Sequence, residues 1–408
     1  MLKDKKRNKN GFVNRLLSKR LALGISVMLL MATIVSVGVA AVAGAEGCEL
    51  LVSIKGNKPP LPSLSPDFKK VAYTTFSDEN KSYELWVMNV DGRNLRKIGE
   101  WTGVAIVMGW SKDGGKILCW VLRREGPEYL LKPGDSTLWI INSDGTGKKQ
   151  IAEDFGLDRI AILSPDGDKV AYSKYGGGTS VVNIDGSGNK FITRDGLPLS
   201  WRPDGKRIII GGYSGGIKEI DIDSGVERLL NATLPYGIVI SPDGSKMAYH
   251  NHGIWVSDID GSNPRQLTYS EKGTRDSFSW SPDSKRIAFI TEEEGIHWGI
   301  WVINSDGSHQ KKVGSFDITR GIAWWSQGRM SSLIWNQDGN KIAYAYEKKQ
   351  NDQNFKTDIY TINIGEPSFI KPPASETQTE KQPGIQGFET IFAIAGLLTV
   401  AYFLRRRR

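Results

Sequence analysis

Cysteine is nearly absent from this chain. Its 408 residues hold two, Cys48 and Cys119, and two cysteines make no disulfide framework. Histidine is almost as scarce, with four, so a histidine-rich metal centre has few ligands to draw on. His250 and His252 stand two residues apart in "HNH", a spacing that metal sites use. No cysteine or acid adjoins them, and the pair reads as the tip of a hairpin. Paired carboxylates outside turn positions are also missing. These absences argue against a hydrolase or lyase, which remains the alternative reading, and no cofactor is expected.

Basic charge is missing from the body of the chain despite a formal net charge of +8. Residues 1–20 carry eight Lys and Arg against one Asp, and Arg405 to Arg408 add four more positive charges. Everything between is left with a net charge of −3. That distribution excludes a phosphate-binding footprint, so no nucleic-acid partner is expected.

Long apolar runs are confined to the two ends. "LALGISVMLLMATIVSVGVAAVAGA" (21–45) follows the basic N-terminus and closes on the small residues Ala43 and Ala45, the pattern of an export signal. The run is also long enough to span a bilayer if it is retained. "AEGC" before Cys48 makes a poor lipobox, because Glu46 is charged. At the other end "TIFAIAGLLTVAYFL" (390–404) runs into four arginines. By the positive-inside rule both ends stay cytoplasmic and everything between is outside.

The remaining chain is repetitive. An Asp following Ser-Pro, or its equivalent, recurs at Asp67, Asp113, Asp166, Asp204, Asp243, Asp283 and Asp338, 38 to 55 residues apart. Each copy introduces an alternating apolar run such as "KVAYS" or "KMAYH", the pattern of a strand with one buried face. Cys119 falls in such a run ("ILCW") and reads as a core residue in the small-residue slot. A second signature follows, "ELWVMNVDG" (84–92), "TLWIINSDG" (137–145), "GIWVSDIDG" (253–261) and "GIWVINSDG" (299–307), with weaker versions elsewhere. Its Trp86, Trp139, Trp255 and Trp301 each precede the Asp of Asp-Gly by five residues. That odd spacing puts the indole and the carboxylate on opposite faces of a strand. A short third run such as "RQLT" (265–268) closes the unit.

Each repeat therefore supplies four strands, at the period of a propeller blade. The expected fold is all-β, a seven-bladed β-propeller of four-stranded antiparallel blades. "ELLVSIKG" (49–56) is a spare strand, expected to pair into the last blade and close the ring. The domain plan is 1–45 signal or anchor, 46–368 propeller, 369–389 linker rich in Pro, Ser, Thr and Gln, and 390–408 membrane or sorting segment.

The paired signatures resemble the TolB-type, WD-like propeller repeat, over about 61 to 365. The resemblance implies the fold and says little about function. Linker, short apolar segment and basic cluster together resemble the PGF-CTERM class of archaeal sorting signal, which implies anchoring at the cell surface. The tripeptide that an archaeosortase processes in that class is split here between Pro383-Gly384-Ile385 and Gly387-Phe388.

Three motifs imitate chemistry. "GYSGG" (212–216) fits the G-x-S-x-G elbow but has no helical pattern after it, and it reads as a glycine-rich hairpin turn. The Asp-Gly turns lack the ligand spacing and closing Glu of a calcium loop, and Asp-Gly is the preferred pair of a tight turn. "NKS" at Asn80 and "NAT" at Asn231 are glycosylation acceptors if the body is exported. The Ser-Pro-Asp-Gly and Asp-Gly turns share one face of a propeller, whereas the long insertions share the other. Tyr129, His297, Trp298, Trp324 and Trp325 lie in those insertions and are the expected binding residues, since loops on a rigid scaffold carry function. The reading is a non-catalytic, membrane-anchored surface scaffold that binds an envelope protein or a surface glycan.

Overall fold

The computed structural model describes residues 48–56, 61–123, 134–156, 158, 159–233, 235, 237–269, 277–293, 297–317, 333–351 and 354–364. All of its sheets are four-stranded and antiparallel, and there are seven. Six are built from consecutive strands, over 61–101, 104–152, 161–193, 197–231, 239–266 and 278–317 (blades 1 to 6). Blade 7 takes three strands from 333–363 and its outer strand from the N-terminus, Cys48–Gly56. The spare strand thus closes the ring as expected, with Cys48 opposite Ile362 and Ile54 opposite Thr357. Residues 369–408 form a separate unit that lies outside the described residues, as do both terminal apolar runs. Among the described residues no helix is long and apolar enough to cross a membrane.

The second strand of each blade is buried on both faces rather than one. Val170, Ala171 and Tyr172 are fully buried, as are Ile208, Ile209 and Ile210. The reason is stacking: every blade is sandwiched between two neighbours, so alternation divides the side chains between two cores. Val71 and Tyr73 pack toward blade 7, with Val52 and Ile54, whereas Ala72 packs toward blade 2, with Trp110 and Ile117.

This register corrects the position of Cys119. The thiol is buried in the core, as expected, but Cys119 pairs with Trp139 just as Tyr73 pairs with Trp86. It therefore takes the tyrosine's place, not the small residue's. The same core holds an edge-on pair of indoles, Trp101 and Trp139, beneath the Lys148 ammonium. Burial pushes the Cys119 thiol up to about 12. Cys48 is half-buried against the blade 6–7 core, and desolvation raises its thiol as well.

Three of the four third-strand indoles pack between sheets as expected, whereas Trp255 joins no core cluster and donates its indole N–H to the Asn251 carbonyl. Trp86, Trp139 and Trp301 pack in the cores between neighbouring blades. A second set of tryptophans, at the ends of inner strands, stitches blade to blade. Trp110, Trp201, Trp280 and Trp335 donate their Nε1–H to the carbonyls of Ser63, Ile162, Val239 and Ser279, at 3.0 to 3.2 Å. Each acceptor lies in the inner strand of the preceding blade. The blade 7–1 junction is joined instead by the Gln337 N–H, 2.7 Å from the Pro66 carbonyl, and by Phe68. Phe68 stands where five other blades have glycine, at φ 57°, and its ring is buried between the first and last blades.

Candidate functional site

The turn between the inner and second strands is organised by a serine. Ser65 donates its hydroxyl to Asp67 at 2.7 Å and accepts the Lys70 N–H at 2.9 Å. Ser241 repeats this with Asp243 and Lys246, at 2.6 and 2.9 Å. Ser111, Ser164 and Ser281 do the same. In blade 7 the Asn336 amide oxygen takes over, accepting the Lys341 N–H at 2.8 Å. In blade 4 Arg202 replaces the serine and pairs with the buried Glu219, which also holds Arg207 at 3.1 Å. All seven turns are thereby held in one conformation.

That uniformity aims the residue after the serine at the propeller axis. Pro66, Lys112, Pro165, Pro203, Pro242, Pro282 and Gln337, one from each blade, line the mouth of an axial cavity of about 890 Å³. Its walls are mostly apolar and come from blades 5 to 7, including Ile240, Phe278, Trp280, Leu333 and Trp335. Lys112 and Gln337 are exposed exceptions in a proline rim. A second cavity of about 380 Å³ joins them to Lys116, Asp166 and Asp168 beside the mouth.

Four carboxylates around this mouth are committed to their turns. The Ser111 hydroxyl and the Gly115 N–H hold Asp113 below the ordinary carboxylate value, and the Ser164 hydroxyl does the same for Asp166. Asp243 and Asp283 are also lowered: burial opposes the shift, and hydrogen bonds from Ser241 and Ser281 outweigh it. A general acid working near neutral pH needs the opposite shift. The Asp-Gly turns of the third strand are equally self-contained, for Asp144, Asp185, Asp260 and Asp306 each accept the N–H and hydroxyl of the residue two further on. Among the described residues no group of three His, Cys, Asp or Glu is arranged to hold a metal ion.

The other motifs resolve as turns. Ser214 of "GYSGG" donates to Asp195 at 2.8 Å, and Asp195 is held in turn by the Lys218 ammonium at 2.7 Å. His252 adopts φ 48° in a hairpin whose Asn251 carbonyl accepts the Trp255 indole at 2.8 Å.

The sequence-derived binding residues fare unevenly. Trp298 lies on the third strand of blade 6, half-buried, and packs against the core shared with blade 7. His297 precedes it on that strand (His297–Asn304), and its side chain is outside the described set. Tyr129, Trp324 and Trp325 also lie outside the described residues. Asn80 is exposed on the blade 1 hairpin, whereas the Asn231 amide is folded into a turn that accepts the Thr233 N–H and hydroxyl, both at 3.0 Å. The channel rim was not foreseen. Its signal was the residue after each serine, proline in five blades and not in two.

A closed ring of seven antiparallel blades around an open axial cavity defines a β-propeller with a mouth on its turn face. The chain belongs to the TolB beta propeller domain family, which residues 39–253, more than half of it, match. Residues 387–408 match the PGF-CTERM motif, a mark of surface-anchored archaeal proteins. Among curated relatives, the Protein TolB homolog of Chlorobium luteolum is 29% identical over 111 residues, 27% of this chain and 22% of that protein. The Uncharacterized peptidase YuxL of Bacillus subtilis is 24% identical over 174 residues, 40% of this chain and 22% of that protein. This chain thus spans about a fifth of the length of the curated relatives it matches. Among solved structures, TolB of Agrobacterium tumefaciens aligns at 21% identity and a TM-score of 0.41, over 66% of this chain and 94% of that one. An oligogalacturonate lyase in complex with manganese aligns at 11% identity and 0.44, over 74% and 99%.

Proposed function

We propose that this protein is a non-catalytic cell-surface receptor whose propeller binds an envelope protein through an extended segment seated at the axial mouth. The observation that carries the reading is the chemistry of that mouth: a proline rim and apolar walls, interrupted by Lys112 and Gln337. Such a lining offers contact area and two orienting polar groups, the composition of a binding pocket. Four carboxylates of its turns, Asp113, Asp166, Asp243 and Asp283, are held below the ordinary value, opposite to the shift that a general acid working near neutrality needs. This reading takes no reaction from the peptidase and lyase among the similar proteins; Ser214 of the nucleophile-like motif donates its hydroxyl to Asp195 within a hairpin turn. The C-terminal motif supports anchoring at the surface of an archaeal-type cell, and the export pattern at the N-terminus agrees with it.

Photo-crosslinking tests this directly. A benzophenone amino acid at Lys112 or Gln337, in the full chain in its own membranes, is expected to trap one protein. The Lys112→Glu, Gln337→Glu double variant, crosslinked from Pro242 on the rim, is expected to lose most of it. Crosslinks only from Asn80 or Tyr213 on the opposite face, retention of glycan instead of protein, or turnover of a polymer by the purified chain would each overturn the reading.

A further inference from the structure

The two Asn-x-Ser/Thr sequences, Asn80-Lys81-Ser82 and Asn231-Ala232-Thr233, are equal as chemistry. Either can accept a saccharide only if its amide nitrogen is free to be substituted and the product fits the fold. The structure treats the two differently.

Asn80 lies at the tip of the hairpin between the second strand of blade 1 (Lys70–Ser77) and the third (Ser82–Asn89). Residues 78–81 make the tip, and all four are exposed. The bend does not use the asparagine side chain. The Asn80 backbone N–H donates to the Ser77 hydroxyl at 3.3 Å, and Lys81 takes the left-handed position at φ 52°. Among the described residues the Asn80 amide makes no hydrogen bond, so a substituent on its nitrogen extends into water.

Asn231 ends the outer strand of blade 4 (Glu227–Asn231). Its Oδ1 accepts the Thr233 N–H and hydroxyl, both at 3.0 Å, which fixes the amide plane. Its Nδ2 lies against the Gly261 turn of blade 5, so close that a Cβ at Gly261 would stand 2.6 Å away. A saccharide on that nitrogen would have to part the two blades.

We propose that Asn80 carries an N-linked saccharide in the folded protein and that Asn231 does not. The proposal rests on the surface location given under the proposed function. In the step, the Asn80 Nδ2 bonds to the anomeric carbon of a saccharide carried on a polyprenyl phosphate. The bond from that carbon to the phosphate oxygen breaks, its electron pair leaves with the phosphate, and the nitrogen gives up one proton. The Ser82 hydroxyl, which completes the acceptor sequence, is buried and donates to Glu100 at 2.6 Å, so transfer precedes closure of blade 1. Substitution of Asn231 at that stage gives a chain that cannot seat the Gly261 turn. The fold thus keeps one product and rejects the other. The saccharide stands on the face opposite the axial mouth and leaves the mouth open.

Mass spectrometry of the full chain, purified from its own membranes and digested, tests this. The peptide holding Asn80 is expected to carry the added mass of a saccharide, and the peptide holding Asn231 to run at its unmodified mass. Asn80→Asp, which keeps the shape of the exposed tip and lacks the amide nitrogen, should lose the whole increment. An unmodified Asn80, or a saccharide on Asn231 in the folded protein, would overturn the proposal. A membrane-impermeant amine reagent applied to intact cells separates this from the surface reading. Labelling of the exposed Lys69 and Lys206 with Asn80 unmodified would sink the saccharide alone, whereas absence of labelling with Asn80 unmodified would sink both.

Discussion

The inner-strand tryptophans give the most discriminating test of how the ring is held together. Trp110 and Trp101 are matched: both are 8% exposed, and both pack in the core between blades 1 and 2. They differ in one respect. The Trp110 indole donates to the Ser63 carbonyl at 3.1 Å, whereas the buried Trp101 Nε1 has no partner among the described residues. Replacing either by Phe removes a similar slice of ring, so cavity and transfer costs largely cancel in the comparison. Trp110→Phe additionally loses a hydrogen bond, worth about 0.5–1.5 kcal/mol net, and about 1–3 kcal/mol if the carbonyl is left unsatisfied. Trp101→Phe loses no bond and removes a buried unpaired N–H; against this, the Lys148 ammonium 4.0 Å from its ring is held about 0.5–1 kcal/mol less well at most. Trp110→Phe is therefore expected to be the more destabilising by about 1–2 kcal/mol. Urea unfolding of residues 46–368 followed by far-ultraviolet circular dichroism measures it, provided the two slopes agree. Coincident midpoints, or a larger loss for Trp101→Phe, would refute the claim that indole–carbonyl bonds fasten the blades.

Two further outcomes follow from the closure and the turns. Ile54→Ala, in the closing strand, deletes a buried side chain from the blade 7–1 core and is expected to cost about 2–5 kcal/mol. Hydrogen exchange should quicken first in blades 7 and 1, and uniform quickening around the ring would count against a distinct closure. Ser164→Ala removes the main cause of the lowered Asp166 value. A carboxylate lowered in the folded state contributes stability in full above its ordinary value of 3.8, and loses it as pH falls through the folded value. The variant should thus be less stable at neutral pH and show a shallower fall between about pH 4 and pH 2. Stability curves that run parallel across that range would exclude the role given to Ser164.

Much of this fold could be read in advance because its determinants are local. Ser-Pro-Asp-Gly closes its turn within six residues, so counting it counted blades, even where Arg202 or Asn336 replaces the serine. The closing strand was legible because the seventh repeat ends after three strands and 49–56 had no other home. What was not legible lies across blades. The indole of Trp335 meets a carbonyl 56 residues earlier, and no local pattern announces that bond, although a tryptophan ahead of the motif in four repeats was its trace. Cys119 stands one position beyond the small-residue slot because its repeat has Leu118 where five others have Ala, and only the strand register separates the two. The site was hardest to see. The repeat accounted for its own serine, aspartate and glycine as turn chemistry, and that drew attention to the long insertions of the opposite face.

The second residue of the repeat does not share that structural duty. Proline at this position presets the turn, yet Lys112 and Gln337 occupy it without disturbing the bonds around Ser111 and Asn336. The turn therefore tolerates replacement there. Among the described residues no hydrogen bond or ion pair engages either side chain, and both are exposed at the mouth. A sevenfold rim can give a ligand shape but no direction, because every blade presents the same surface. Two polar groups on blades 2 and 7, with apolar walls weighted to blades 5 to 7, break that equivalence and define an orientation. In a repeat protein the departures that cost the fold nothing are those free to serve a partner, and the rim holds two of them.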